Sequence, residues 1–173
     1  MSEIIWPEDY LPGTTDFYVS NETIVAGLSA GDVWPFLSDT RHWPNVHTPL
    51  AQIRFHDDSG SSLRFAARFQ FLYGDTLVQA EVNEYVAPDA GHSGRLAWHG
   101  WVEADGGKVL EAHCAWLIES LSGGRVRVVW QESLTGPVAK ELAAQRPNPA
   151  VAAHQDWVDA LPAAALAKRA GGH

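Results

Sequence analysis

SAGDVWPFLSDTRHWP, Ser29–Pro44, is the stretch that decides how the rest of the chain is read. Ser29 stands where a helix N-cap belongs. Asp32, three residues on, puts a carboxylate beside backbone N–H groups that have no partner in a first turn. Val33, Phe36 and Leu37 follow at helical spacing and make one apolar stripe. Pro35 falls within the first turn and a half, where a missing donor costs less than in a helix interior. The helix is predicted to stop near Asp39-Thr40, and a second short turn around Arg41–Trp43 is predicted to be cut by Pro44.

This helical insert interrupts a β pattern. Before it, Phe17–Leu28 is strand-like, with a polar break at Ser20-Asn21. After it come a short strand over Ala51–His56 and a turn over Asp57–Ser62. Leu63–Leu72 then alternates: Leu63, Phe65, Ala67, Phe69 and Phe71 share one face, while Arg64, Arg68 and Gln70 occupy most of the other. A turn at Tyr73-Gly74-Asp75-Thr76 pairs Leu72 with Leu77. Phe71 is then set opposite Val78, Phe69 opposite Ala80 and Ala67 opposite Val82, all apolar partners.

Three further strands, Leu96–Glu103, Val109–Ser120 and Arg125–Thr135, are joined by glycine-rich turns. A three-residue loop at each turn gives one register throughout. One face then gathers Leu96, Trp98, Val102, Leu110, Ala112, Cys114, Trp116, Ile118, Val126, Val128, Trp130 and Glu132. The other gathers Arg95, His99, Glu103, Glu111, His113, Glu119, Arg125, Arg127 and Gln131. A slip of one residue would mix the two sets.

The C-terminal part reads as two helices. Pro137–Arg146 is the first. Asn148 as N-cap and Pro149 at the first helical position start the second. Its inner stripe is Val151, His154, Val158, Leu161 and Ala165, with Trp157 beside it and a kink expected at Pro162. The predicted fold is α+β, a curved antiparallel sheet of seven strands wrapped around a long C-terminal helix, with two short helices after the first strand. Residues 1–15 read as an N-terminal extension anchored by Trp6, Tyr10 and Leu11, and 16–170 as one domain.

A strand running into a small-residue helix start, then Val33-Trp34-x-x-Leu37, then Asp39 and Trp43-Pro44, resembles the helix-grip domains of the START, Bet v1 and polyketide-cyclase superfamily. The order strand, helices, six strands, long helix extends that resemblance over about residues 16–169. It implies a cavity between sheet and helix and leaves the chemistry open.

Composition narrows the partners. The 173 residues suit one core, and 46% hydrophobic content with eight tryptophans argues for a packed globule. A formal net charge of −9 disfavours nucleic acid or an anionic membrane as partner. No run reaches the about 18 apolar residues of a transmembrane helix, so no membrane insertion is expected. The acidic, proline-bearing start MSEIIWPEDYLPG shows no signal peptide. A single cysteine, Cys114, fits a cytoplasmic location.

The rings Phe65, Phe69, Phe71, Trp98, Trp116 and Trp130, with Cys114 between them and Trp157 and Val158 on the helix above, are the ligand-binding set. The partner this implies is a hydrophobic or aromatic small molecule, lipid- or polyketide-like. The plainer alternative is that these rings only fill the core. Glu132 is the odd member of that face: a carboxylate there is paired, hydrogen-bonded or protonated. Burial would raise its pKa toward acid–base use. His154 on the helix stripe is its partner across the cavity, and the two form the catalytic pair if the chain is an enzyme of the polyketide cyclase or dehydratase kind. Against this stand a strand end that flares into solvent and a first-turn histidine bonded to a loop carbonyl. Cys114 among aromatics is structural before it is a nucleophile.

His99 and His113 share the outer face near Glu111. They read as an exposed cross-strand pair or a contact in a homodimer before a zinc site, so no metal and no cofactor is expected. His42 and His47 read as surface residues near the cavity mouth. Ligand binding leads, enzyme comes second, and an interaction module of toxin or chaperone-activator type comes third.

Overall fold

The computed structural model describes residues 2–172. Seven strands form one antiparallel sheet: β1 (Phe17–Ala26), β2 (Leu50–Phe55), β3 (Arg68–Tyr73), β4 (Thr76–Val86), β5 (Gly94–Ala104), β6 (Gly107–Leu121) and β7 (Arg125–Thr135). Across the sheet they run β1-β7-β6-β5-β4-β3-β2. Two short helices, α1 (Ala30–Ser38) and α2 (Trp43–Val46), sit between β1 and β2. Two more, α3 (Pro137–Ala144) and α4 (Pro149–Gly171), close the chain. The sheet curves around α4, the predicted architecture.

Local chemistry explains the helix starts. Asp32 accepts hydrogen bonds from the Ser29 backbone N–H and the Ser29 hydroxyl, both at 2.7 Å, which fixes the α1 N-terminus. Asn148 Oδ1 accepts from the Ala150 N–H at 3.0 Å, and Pro149 takes a first-turn position where no donor is needed. Pro44 departs from expectation. It opens α2 instead of ending the preceding turn, because a proline is at home in a first helical turn.

The hairpin registers away from the turns are the expected ones, but β5 and β6 join through a two-residue turn, Asp105-Gly106, with a bulge at Val102/Glu103 in place of the expected three-residue loop. Leu72 faces Leu77, Phe71 faces Val78 and Phe69 faces Ala80. Trp98 faces Cys114, Cys114 faces Glu132, and Trp116 faces Trp130. Apart from Leu72 and Leu77, which fall on the other face, every named partner lies on one side of the sheet, as the period of two requires. On that side α4 lays down His154, Trp157, Val158, Leu161 and Ala165, all buried. Val151, placed on the same stripe from the sequence, is instead exposed in the first turn of α4, where its carbonyl accepts from the Asn21 side chain of β1.

Phe65 departs further. The alternation over Leu63–Leu72 suggests one strand, yet β3 begins only at Arg68. Ala66 takes a left-handed backbone (φ 62°), which turns the preceding residues out of the ladder. Phe65 is left 68% exposed.

The outer face is covered by the chain's own N-terminus. Trp6 packs edge-on to His113 (ring centroids 5.5 Å apart), and Tyr10 lies over His99 and His113 (5.7 and 6.1 Å). Ser2 N–H donates to Glu119 at 2.8 Å, and Arg127 pairs with Glu22 at 2.8 Å. His113 is thus 3% exposed, not the exposed histidine expected from its strand register. A long-range cover of this kind leaves no mark in the period of the strand it covers.

Gly136 links β7 to α3. Its φ of 113° is open to glycine, and a Cβ there would lie 2.7 Å from the Val109 carbonyl oxygen. Gly136→Ala is expected to cost about 2 kcal/mol by urea unfolding. An unchanged midpoint would mean that the β7–α3 link yields freely.

Candidate functional site

The inner face is wider than α4 can cover, and the uncovered part is a cavity of about 400 Å³. Its floor comes from β3 to β7 through Phe71, Trp98, Ala112, Cys114, Trp130 and Glu132. Its roof is Val138 and Leu142 of α3 with Ala153, His154 and Trp157 of α4. The lining is overwhelmingly apolar and aromatic, the usual make-up of a small-molecule site.

Glu132 and His154 meet in this wall. Glu132 Oε2 lies 3.0 Å from His154 Nε2, and Glu132 Oε1 accepts from the Cys114 thiol at 2.8 Å. His154 lies almost flat on Trp130, ring centroids 3.7 Å apart. The Glu132 side chain is 13% exposed. Burial pushes its carboxyl up, but the charge and hydrogen bond of His154 and the Cys114 thiol outweigh burial, and the carboxyl is held below its ordinary range. The expected upward shift is therefore reversed by the partner. At neutral pH Glu132 is a carboxylate, an acceptor or base instead of an acid. Cys114 is pushed the other way, well above the ordinary thiol range, by burial and by the neighbouring carboxylate, which keeps it an unreactive thiol.

Of the residues singled out from the sequence, Phe71, Trp98, Cys114, Trp130, Glu132, His154 and Trp157 border the cavity. Phe69, Trp116 and Val158 are buried but lie behind this lining as packing. Phe69 packs against Phe55 and Phe71, and Trp116 stacks on Trp130 at 4.8 Å. Phe65 is outside altogether. Among the described residues no three His, Cys, Asp or Glu side chains are grouped to hold a metal ion.

A second polar group at the cavity escaped the sequence reading. Tyr73, counted as a turn residue, faces the cavity beside Phe71. Its hydroxyl lies 3.2 Å from His47 Nε2. His47 is 5% exposed and stacks nearly parallel on Trp157 (4°, centroids 5.3 Å), where a surface residue was expected. Burial holds His47 below its ordinary range, with Asp156 opposing and His154 adding to the effect. Burial, then the charges of Glu132 and Asp156, push the Tyr73 phenol up. Alternation along β3, carried one step past Phe71, was the available signal for Tyr73. No periodic signal exists for a loop histidine such as His47.

No family model matches this chain, and no curated protein matches it. The solved structure of hypothetical protein jhp0584 from Helicobacter pylori does, at 42% identity over 95% of this chain and 97% of that one, with a TM-score of 0.90. The chain belongs to the jhp0584 family. More distant likenesses show the fold of the jhp0584 family to be the Bet v1-like helix grip. The di-domain ARO/CYC BexL from the BE-7585A biosynthetic pathway is 14% identical over 84% of this chain and 45% of that one, with a TM-score of 0.59. A Thalictrum flavum norcoclaurine synthase point mutant in complex with a transition state analogue is 12% identical over 88% and 96%, also with a TM-score of 0.59.

Proposed function

We propose that this member of the jhp0584 family binds a hydrophobic, aromatic small molecule of polyketide- or lipid-like kind in the cavity under α4. The observation that carries this reading is an aromatic cavity of about 400 Å³ whose wall holds a carboxylate–imidazole pair. Its volume falls within the usual range of small-molecule sites. Apolar burial supplies affinity, and the Glu132 carboxylate orients one polar group of the ligand. One buried cysteine and, among the described residues, no helix long and apolar enough to cross a membrane suit a cytoplasmic carrier.

A neutral apolar fluorescent probe such as N-phenyl-1-naphthylamine is expected to bind with micromolar affinity, and Trp98→Ala to change that affinity several-fold, because Trp98 forms cavity floor. A fluorescence titration with no saturable binding would refute the reading.

One observation favours a second reading, an enzyme. Glu132 and His154 are in direct contact, and a carboxylate in contact with an imidazole can move a proton to or from an enolisable ligand in the manner of a cyclase or dehydratase. Glu132→Gln separates the two. A carrier keeps most of its affinity, since the amide still hydrogen-bonds. An enzyme keeps affinity and loses about 10²-fold or more in turnover.

A further inference from the structure

The cavity wall carries polar groups on two well-separated strands. Glu132 is on β7 and Tyr73 on β3, with β6, β5 and β4 between them. Both side chains line the one cavity, and the Glu132 charge reaches the Tyr73 phenol, so a single small molecule can meet both groups. Between them the floor is Phe71, Trp98, Cys114 and Trp130.

Tyr73 is held for this role. His47 Nε2, at 3.2 Å, takes one hydrogen-bonding position of its hydroxyl. His47 itself is fixed by its flat stack on Trp157, which also borders the cavity. A phenolic hydroxyl both donates and accepts, so one partner leaves a further position for another. If the shared hydrogen is on His47, Tyr73 donates to the ligand. If it is on Tyr73, Tyr73 accepts.

Resting on the ligand-binding reading above, we propose that the cavity selects aromatic ligands carrying an oxygen function at both ends, one hydroxyl donating to Glu132 and a second meeting the Tyr73 hydroxyl. A ligand hydroxyl fits Tyr73 whichever way the Tyr73–His47 hydrogen runs, and a purely apolar end does not. Tyr73 is then the residue that sets specificity at the hairpin end of the cavity, and His47 positions it.

The test uses two ring systems of nearly the same shape, 2,6-dihydroxynaphthalene and 6-methyl-2-naphthol, as competitors of N-phenyl-1-naphthylamine on the full chain and on Tyr73→Phe. The expected result is that the ratio of the two dissociation constants shifts about tenfold against the diol in Tyr73→Phe, in line with one hydrogen bond lost and one ligand hydroxyl left unpaired. Affinity for the methyl compound and for the probe stays within about twofold, which a merely structural loss would not allow. An unchanged ratio with both competitors still displacing the probe overturns the two-ended proposal and leaves the ligand-binding reading standing. Absence of probe binding to the unmutated chain overturns both.

Discussion

His154→Leu is expected to lower the unfolding free energy by about 3 kcal/mol at pH 7, the lower end of what removing one member of a buried ion pair costs. The loss comes from what is left behind. Glu132 remains in an aromatic wall with the Cys114 thiol as its remaining hydrogen-bond partner among the described residues. In the unmutated chain the Glu132 carboxyl is held below its ordinary value of 4.5. Its contribution is thus fully present above that value and lost as pH falls through the lower folded value. Without the imidazole, burial dominates and the folded value moves above 4.5. The variant then gains stability relative to the parent on acidification, as Glu132 becomes neutral. Urea melts at pH 7 and pH 4 should show the gap between the two proteins shrinking at acid pH. An equal gap at both values would mean that size and packing, and no charge coupling, account for the whole loss.

The second large effect belongs to the outer face. His113 is pushed down to about 4 from 6.5, first by burial under Trp6 and Tyr10 and then by His99, against the pull of Glu132. Its Nδ1 lies 3.4 Å from the Asn83 side-chain amide, and its Nε2 is buried without a partner among the described residues. A folded value below the unfolded one means that the unfolded chain takes up the proton first. Stability therefore falls as pH drops below 6.5 and levels off below about 4. The full loss is about 3 kcal/mol, at about 1.4 kcal/mol for each tenfold of proton affinity. His113→Gln should flatten the pH dependence of stability over that window. Trp6→Ala should move the His113 titration, followed by its ring-proton NMR signal, back toward 6.5. A histidine that already titrates near 6.5 in the parent would contradict the cover that the N-terminal segment provides.

Much of this molecule is legible in its sequence, for identifiable reasons. The β5–β6–β7 register could be read because each side chain's face is fixed by a period of two and each turn is marked by glycine. The same logic put Glu132 on the inner face and opposite His154. It failed at Phe65, where a single left-handed residue, Ala66, breaks the alternation without a glycine to announce it. It failed at His113 for another reason: the strand pattern assigns a face but cannot say what lies over that face. Trp6 is more than a hundred residues away in sequence, and its contact is a tertiary fact. For Glu132 burial raises the carboxyl and pairing with His154 lowers it; sequence cannot say which prevails, and the 3.0 Å contact decides it. His47 needed three dimensions. It sits in a loop, and only the folded chain brings it against the Tyr73 hydroxyl and onto Trp157.

Five of the eight tryptophans are in ring contact around the cavity. Trp43 touches Trp98 and Trp157, and Trp157 touches both members of the Trp116–Trp130 stack, with no centroid separation above 5.7 Å. Indoles this close do not absorb and emit as separate lamps. Excitation captured by any of them can pass to the rest, most readily within the parallel pair at 4.8 Å. A guest that quenches Trp130 alone would therefore darken the whole cluster. Unlabelled protein would then suffice to screen for cavity ligands.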